Sequence, residues 1–322
     1  MRVIIVGATG SVGKELITLI EKNRIDFSSI QFYASERSKN KVIFFHGREY
    51  RLESIEDLSF EKADFAFFCT SSAISKKLSL KVKNTSCRVI DLSSAFRMEE
   101  KIPLIIPEIN GHLLKQAFQI ISSPNCVASI LSMVLYPLLQ ISSIKRVVVS
   151  TYQAASGGGQ KLLDDLLHST KEYCEGKKTS ESAFNLYLHP SDLNNEQYSG
   201  EEEKIILETQ KILDVKIPIS VTSVRVPTLR AHSLSVNVEF AKDLSVHTAC
   251  NALQEFPGIQ VVSNTTPRQA QKKKDVFVSR IRKDLSHKNT LDLWVCSDQL
   301  LKGASLNALQ IYERALSLSS RE

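Results

Sequence analysis

Continuous apolar runs that end in small or polar residues recur through the first third of the chain. Val3–Val6, Asp64–Cys69 and Arg88–Asp91 are rich in β-branched or aromatic residues, as is typical of strands buried on both faces of a sheet. Amphipathic stretches such as residues 12–22 separate them. Strands that alternate with helices predict a parallel, doubly wound sheet, whose functional edge lies at the carboxyl ends of its strands.

The remaining two thirds of the chain change in pattern and predict a second, α+β lobe. Residues 174–200 show neither period and predict a loop or a dimer excursion. The amphipathic stretch 301–318 needs a sheet to cover, so we expect a cofactor domain of residues 1–126 plus 300–322 and a second domain of residues 127–299. The other predicted elements are a strand at 29–34, a strand at 119–122, an apolar helix at 126–140, a strand at 145–152, a helix from 200, half-buried antiparallel strands at 221–227 and 233–240, and a strand at 290–297.

Composition narrows the class of protein. The 322 residues carry 41 Lys plus Arg against 35 Asp plus Glu, a net charge of +6, which suits anionic small molecules and is too diffuse for nucleic acid. Six cysteines without a C-x-x-C pair argue against a metal site or a disulfide framework and favour a reducing cytoplasm. Neither a signal peptide nor an apolar run of membrane-spanning length is evident.

The first strand runs into the sequence GATGSVG at residues 7–13. In a G-x-x-G-x-x-G turn the first glycine permits a tight bend, the second lets the backbone approach a pyrophosphate, and the third lets the helix pack on the strand. The helix then begins with its positive end toward the phosphates. The position of the motif, between a strand and an amphipathic helix, predicts a dinucleotide site.

The end of the second strand bears on the choice of cofactor. Glu36 would accept the ribose 2′-hydroxyl of NAD, whereas Arg37 and Ser38 suit the 2′-phosphate of NADP. Because a phosphate needs cationic and hydroxyl donors together, we favour NADP, although a solvated turn has the same composition.

Cys126 stands between the strand at 119–122 and the apolar helix, in the sequence SSPNC. At a helix N-terminus the positive end of the dipole favours the thiolate, which makes the sulfur a nucleophile. The competing interpretation is a cysteine that only packs in the core.

Four polar side chains fall at the ends of predicted strands and would serve such a thiolate. Gln153 ends the strand before a glycine run, which is alternatively a plain hinge. Arg225 has the geometry to hold a carboxylate through two hydrogen bonds. His232 is predicted to have a near-neutral pKa and to shuttle the thiol proton, the alternative being a structural histidine. Arg97 ends another strand, where an isolated arginine is more often a surface cation.

With these elements placed, the chain resembles aspartate-semialdehyde dehydrogenases along nearly its whole length. Each motif alone means little, but their shared order is specific. The matching stretches are GATGSVG, ASERS, DLSSAFR, PLIIPEIN, SPNC, TYQAASGGG, GEEEK, SVRVPTLRAHS and DQLLKGASLNA.

The resemblance implies a role for each matching side chain. Cys126 is the nucleophile, His232 the acid/base and Gln153 a positioning group that also contacts substrate. Arg225 holds the substrate α-carboxylate, Glu201 its amino group, and Arg97 and Lys204 bind inorganic phosphate. Contacts to NADP fall to Thr9, Gly10, Ser11, Val12, Arg37, Ser38, Ser156, Gly157 and Gln299. A homodimer is also implied, with residues 127–299 as the catalytic and dimerisation domain.

The implied reaction is coherent with these residue types. Thiolate attack on the semialdehyde gives a thiohemiacetal, hydride passes to NADP⁺, and phosphate cleaves the thioester to aspartyl phosphate. In the biosynthetic direction the steps reverse and the product feeds the synthesis of lysine or diaminopimelate, threonine and methionine. Two alternatives stay open: an N-acyl-glutamyl-phosphate reductase of the same fold, in which Glu201 would lack a role, and a non-catalytic nucleotide sensor, which requires a missing catalytic group.

Three positions depart from the family pattern. Asn40 replaces a glycine after the Arg-Ser pair, and asparagine tolerates left-handed backbone better than most residues. Residues 70–73, Thr-Ser-Ser-Ala, replace a glycine-richer stretch at the nicotinamide side. Ala231 replaces a glycine directly before His232, where a shift of the imidazole is expected.

Overall fold

The computed structural model describes residues 1–319, which divide into two compact units. Unit 1 consists of Met1–Pro124 and the described part of the segment that begins at Ala304; unit 2 is Asn125–Gly303. The strands are β1 (Arg2–Val6), β2 (Ser29–Ala34), β3 (Val42–Phe45), β4 (Arg48–Arg51), β5 (Glu53–Ser54), β6 (Phe65–Phe68), β7 (Arg88–Asp91), β8 (Ile120–Ser122), β9 (Ile144–Gln153), β10 (Tyr187–Leu188), β11 (Ile219–Arg225), β12 (His232–Phe240), β13 (Ile259–Val261), β14 (Val276–Lys283) and β15 (Thr290–Ser297). The helices are α1 (Ser11–Lys22), α2 (Ser72–Val82), α3 (Pro107–Asn110), α4 (Cys126–Leu139), α5 (Gln160–Cys174), α6 (Gly200–Leu213), α7 (Val246–Glu255), α8 (Pro267–Ala270) and α9 (Leu306–Ser319).

Unit 1 is built on a six-stranded sheet in the order β5-β2-β1-β6-β7-β8, in which every pair is parallel. Side chains of β6 alternate between its two faces. Phe65 and Phe67 pack on Tyr312 of α9, whereas Phe68 belongs to a core cluster that includes Leu78 of α2. Helices therefore cover both faces, which confirms the predicted doubly wound parallel sheet.

Glycine is required at two positions of the β1–α1 turn. Gly7 has φ +84°, and a Cβ there would lie 2.2 Å from the carbonyl oxygen of Cys69. A Cβ on Gly13 would lie 2.2 Å from the carbonyl oxygen of Gly7. Because no side chain fits in either place, the turn stays tight and α1 begins directly at the carboxyl end of β1.

Unit 2 is built on a seven-stranded mixed sheet in the order β10-β11-β9-β12-β15-β14-β13. The long strand β9 lies between β11, to which it is parallel, and β12, to which it is antiparallel. The prediction of antiparallel pairing is therefore confirmed for β12 and wrong for the main pairing of β11, whose antiparallel neighbour is the two-residue β10. The segment after β11 crosses the end of β9, because Val226 donates to the Gln153 carbonyl and Ala155 donates to that of Thr228.

The apolar helix α4 is buried almost throughout, as expected for a helix that is hydrophobic on all sides. The final helix differs from its prediction at the start, because Leu301–Ser305 forms a π-helical turn before α9. Irregular chain was predicted for 174–200, and the structure has only β10 between α5 and α6. No helix within residues 1–319 combines the length and apolarity needed to cross a membrane.

Candidate active site

Cys126 is the first residue of α4 and is partly exposed. Asn125 caps the helix, since its Oδ1 accepts hydrogen bonds from the backbone N–H groups of Val127 at 2.8 Å and Ala128 at 3.2 Å. The cap satisfies these amides without using the sulfur. The thiol thus lies at the positive end of the helix dipole, as the sequence predicted.

Two carboxylates of α6 hold the capping residue. The Nδ2 of Asn125 donates to Oε1 of Glu201 at 2.9 Å, and its backbone N–H donates to Oε2 of Glu208 at 2.6 Å. Glu201, predicted to bind the substrate amino group, is therefore next to the helix start that carries Cys126. Lys204 extends outward from the same helix, with Nζ 4.0 Å from Oε2 of Glu201.

A backbone segment packs closely on the first turn of α4. The hydroxyl of Ser129 donates to the carbonyl of Lys302 at 3.1 Å, and a Cβ on Gly303 would lie 2.8 Å from Cβ of Cys126. Glycine is thus the residue that fits at 303, and its backbone limits the space around the thiol on that side.

Gln153, Arg225 and His232 meet at one edge of the unit 2 sheet. Gln153 ends β9 and Arg225 ends the parallel strand β11, where the two residues are register partners. His232 begins the antiparallel strand β12, so it lies at the same edge. Topology therefore brings together three side chains that are separated by up to about eighty residues in sequence, and all three are buried.

His232 is held by one ring nitrogen. Its Nδ1 accepts a hydrogen bond from the backbone N–H of Ala154 at 3.0 Å, while its buried Nε2 has no hydrogen-bond partner among the described residues. An accepting Nδ1 puts the ring proton of neutral imidazole on Nε2. Burial lowers the pKa of His232 well below its usual value, and the charge of Arg225 and the interaction with His189 lower it further. The expectation of a near-neutral pKa was wrong because sequence does not show that the ring is fully buried.

Arg225 lies within electrostatic reach of Cys126 and Glu201. Its Nη1 donates to the carbonyl of Ala154 at 2.8 Å, and its buried Nε has no partner among the described residues. Burial lowers the pKa of the guanidinium, and the negative charges of Cys126, Tyr187 and Glu201 oppose that shift. A buried arginine with an unused N–H has donors available for an anionic group.

Gly157 lies against the imidazole edge. A Cβ at this position would lie 2.7 Å from Cε1 and 2.8 Å from Nε2 of His232. The glycine run is therefore more than a hinge, because its first member, Gly157, leaves room for Nε2 of His232.

We expect Gly157→Ala to lower kcat by about 10- to 100-fold while the fold is retained, because displacement of a catalytic group by about 1 Å costs up to that factor. Steady-state kinetics and thermal unfolding measure the two effects. Gly111→Ala is the matched control, since a Cβ there would make only ordinary contacts of 3.7 Å or more. Unchanged kcat in Gly157→Ala would contradict the assigned position of the imidazole.

The predicted cofactor residues of unit 1 lie on two neighbouring turns. Thr9 and Gly10 end the β1–α1 turn, Ser11 and Val12 begin α1, and Gly10 caps the helix without a side-chain hydrogen bond. Arg37 and Ser38 share the 3₁₀ turn Glu36–Ser38 after β2. A cavity of about 660 Å³ is lined by residues of both turns, with Thr9, Lys14, Ser38 and Lys41 among them. Asn40 has φ +65°, the left-handed conformation expected of it.

In unit 2 the predicted cofactor residues Gln299 and Ser156 are joined by hydrogen bonds to the backbone directly before His232. Gln299 donates through Nε2 to the hydroxyl of Ser156 at 2.6 Å and accepts at Oε1 from the N–H of Ala231 at 2.9 Å. Ala231 has φ +74°, a conformation that costs an L-residue about 1 kcal/mol or more. The hydrogen bonds of Gln299 thus stabilise the strained backbone directly before His232.

Arg97 lies in unit 1 and is not the surface cation that its isolation in sequence favoured. It is 8% exposed, and it donates through Nε to the carbonyl of Ser123 at 2.9 Å and through Nη2 to that of Leu92 at 2.8 Å. Its role toward phosphate stays a prediction.

For three further residues near the site, no role was predicted from the sequence: Asn125, Glu208 and His189. Asparagine directly before a helix is a capping signal, and Glu201 and Glu208 are seven residues apart on one helix face, so these two had a recognisable pattern. His189 had none, because it lies in the stretch without periodicity. No group of three or more His, Cys, Asp or Glu side chains in residues 1–319 is placed to hold a metal ion.

Comparison with known proteins gives matches along nearly the whole chain. Residues 2–117 match the family model of the semialdehyde dehydrogenase NAD-binding domain, and residues 135–302 match that of the semialdehyde dehydrogenase dimerisation domain. An aspartate-semialdehyde dehydrogenase of Rickettsia bellii is 41% identical, covering 98% of this chain and 97% of the relative. One from Synechocystis sp. is 39% identical over 97% of this chain and 96% of its own.

Solved structures agree with these sequence matches. Aspartate semialdehyde dehydrogenase II from Vibrio cholerae superposes with a TM-score of 0.95 at 31% identity, covering 98% of each chain. The same Vibrio cholerae enzyme complexed with ASA gives an equal TM-score.

Proposed function

The chain belongs to the aspartate-semialdehyde dehydrogenase family, and on that ground we propose that it interconverts L-aspartate 4-semialdehyde and 4-phospho-L-aspartate through a thioester on Cys126. The observation that carries the proposal is the environment of the thiol. Glu201 is joined to the cap of its helix, and Arg225 lies within electrostatic reach. A substrate with an α-ammonium and an α-carboxylate matches one anionic and one cationic side chain beside a nucleophile. The similar Vibrio cholerae enzyme was crystallised with ASA.

The thiol starts the reaction. Its thiolate, favoured by the N-terminus of α4, attacks the aldehyde carbon, so that a C–S bond forms and the carbonyl π electrons move to oxygen. The Nε2–H of His232 donates a hydrogen bond to that oxygen. Because Nδ1 accepts the Ala154 N–H, His232 stabilises the oxyanion as a neutral hydrogen-bond donor. The ring then has no free acceptor for the thiol proton. The thiolate is favoured instead by the dipole of α4 and the charge of Arg225.

The second half of the reaction releases the thiol. When bound, a nicotinamide cofactor would supply the hydride acceptor for oxidation of the thiohemiacetal to a thioester. A phosphate oxygen then attacks the thioester carbon, the C–S bond breaks, and the sulfur leaves as thiolate. We assign Arg97 and Lys204 to the phosphate and Gln153 to positioning of the substrate carbonyl. In the biosynthetic direction these steps reverse, toward lysine or diaminopimelate, threonine and methionine.

The residues of unit 1 fit a dinucleotide, because the cradle formed by Gly7 and Gly13 has no space for a Cβ and the α1 N-terminus has no side-chain cap. We propose that the cofactor is NADP. Arg37 and Ser38 share one turn, and Lys14 and Lys41 line the adjoining cavity. The competing carboxylate of Glu36 faces Lys39 at 3.6 Å, which is itself bonded to Asp57 at 2.9 Å.

Arg37→Ala is expected to raise KM for NADP by about ten- to hundredfold and to leave KM for NAD nearly unchanged, since a charge-assisted contact to phosphate contributes about 1.5–3 kcal/mol. Kinetics with both cofactors make the comparison. Arg24→Ala is a control away from both turns. Equal efficiency with the two cofactors in the unchanged protein, or no loss of NADP preference in the variant, would show that Glu36 or the backbone sets the choice.

We also propose that the protein is a homodimer assembled through unit 2, whose match is to a dimerisation domain. Large apolar side chains are exposed there, and they include Leu167, Phe184, Leu186, Leu188 and Leu193. A cytoplasmic location is proposed because six cysteines without a C-x-x-C pair favour a reducing compartment. Sedimentation analysis tests the dimer directly.

The experiment that tests the function is NADP⁺ reduction with L-aspartate 4-semialdehyde in the presence and absence of inorganic phosphate. We expect multiple turnovers only with phosphate. Parallel assay of an N-acyl-glutamate semialdehyde separates the sister activity, because that substrate has no ammonium for Glu201. Preference for the N-acyl substrate would overturn the assignment, and cofactor binding without turnover of either would favour the sensor.

A further inference from the structure

His189 lies beside the substrate-binding side chains, and no role has been assigned to it above. Tyr187 of β10 is the register partner of Arg225, and the backbone N–H of His189 continues this pairing by donating to the Ser223 carbonyl at 2.9 Å. In an antiparallel pair, opposite residues and residues two apart share one face. The side chains of His189, Ser223 and Arg225 are therefore on the same face of the sheet, where the hydroxyl of Ser223 is buried without a partner among the described residues.

A single hydroxyl joins this histidine to the helix that carries Glu201. Ser191 accepts a hydrogen bond from the backbone N–H of Glu201 at 3.2 Å, and its Oγ lies 3.3 Å from Nδ1 of His189. A hydroxyl that accepts from an amide satisfies its own proton by donating it, here to Nδ1. The ring proton of His189 is then on Nε2, and the imidazole, the hydroxyl and the first turn of α6 form one chain of hydrogen bonds.

The charges around His189 belong to the same site. Burial is the main reason that its pKa is lowered; Arg225 of β11 and Lys204 of α6 lower it further, and Glu201 and Glu202 of α6 raise it. His232 of β12 also interacts with it. At neutral pH the ring is therefore uncharged. Protonation would reverse this bond, with Nδ1 donating to the Ser191 oxygen, and would place a second positive charge beside Arg225.

We propose that His189 is a positioning residue for the substrate: while uncharged, it fixes the first turn of α6 through Ser191, so that Glu201 and Arg225 hold the two charged ends of the substrate at a set spacing. The proposal rests on the proposed function, because it concerns the same two ligands. It predicts that His189 acts on binding of the semialdehyde more than on the chemical step.

The test compares His189→Ala, His189→Gln and Ser191→Ala. A glutamine can accept the Ser191 proton through its amide oxygen, so it retains the link without titrating. We expect KM for aspartate semialdehyde to rise by about tenfold in the two alanine variants with little change in kcat, since one or two hydrogen bonds of this kind are worth about that factor. His189→Gln is expected to restore most of the affinity. His168→Ala, an exposed histidine of α5, is the control.

The pH profile separates positioning from a merely structural role. In the unchanged protein, KM is expected to rise as the pH falls through the lowered pKa of His189, and His189→Gln is expected to lose that acid limb. Amide hydrogen exchange at residues 199–204 gives a readout independent of turnover, with faster exchange expected in both alanine variants. An active protein whose KM, pH profile and exchange are unchanged in His189→Ala contradicts the inference alone. An inactive unchanged protein contradicts the proposed function, and exchange still decides the link from His189 to α6.

Discussion

Cys126→Ala is expected to reduce phosphate-dependent turnover by more than about 10⁴-fold, because the covalent route has no other nucleophile and removal of such a group costs at least that much. Folding should be retained. The helix cap is made by Asn125 and not by the sulfur, so the N-terminus of α4 is satisfied in the variant. Initial rates at saturating semialdehyde, cofactor and phosphate, with thermal unfolding in parallel, provide the measurement.

Cys174→Ala is the matched control for that experiment, since Cys174 ends α5 and is exposed. It should keep full activity. Near-normal turnover in Cys126→Ala would mean that the segment 122–126 is only a well-packed helix start, and the mechanism proposed above would be wrong.

His232→Ala is expected to lower kcat by about 10²- to 10⁴-fold, the range typical of groups that exchange protons or stabilise an oxyanion. His232→Gln separates the two roles. A glutamine amide donates a hydrogen bond but takes up no proton, so it should recover part of the rate if the Nε2–H acts as a donor to the oxyanion, and none if the imidazole acts as a base.

The pH dependence gives an independent check on the state of this histidine. Because burial depresses the pKa of His232 well below its usual value, the ring is neutral at neutral pH and becomes protonated only as the pH falls far below that value. We therefore expect no inflection of kcat/KM near pH 6.5 from His232. An inflection there that disappears in His232→Gln and persists in His189→Gln would contradict the assigned hydrogen bond to Nδ1.

Local patterns were sufficient for much of the fold. β1, the glycine turn and α1 form one continuous signature, and each of its steps follows from a short-range rule about apolar runs, left-handed backbone and helix starts. The nucleophile was recognisable for the same reason, since a cysteine at the start of an apolar helix is a local feature. The pairing of β11 was not recognisable, because β9, its parallel neighbour, ends more than sixty residues before β11 begins.

The electrostatic state of the site could be predicted only in part. Residue types indicated Arg225 and His232, and the family resemblance added Glu201. The pKa of the histidine, however, depends on a buried position that three separate strands create. On sequence grounds alone, an isolated arginine such as Arg97 is more often a surface cation. In the structure it is buried, and two backbone carbonyls accept its hydrogen bonds. His189 was missed because its position is set by the register of β10 and not by any pattern in residues 174–200.

The most direct test of the thioester mechanism is mass spectrometry of the protein after incubation with aspartate semialdehyde and NADP⁺ in the absence of phosphate. We expect a stoichiometric acyl adduct on the peptide that contains Cys126, which disappears when phosphate is added and does not form in Cys126→Ala. No adduct under these conditions, or an adduct on a different cysteine, would contradict the thioester mechanism.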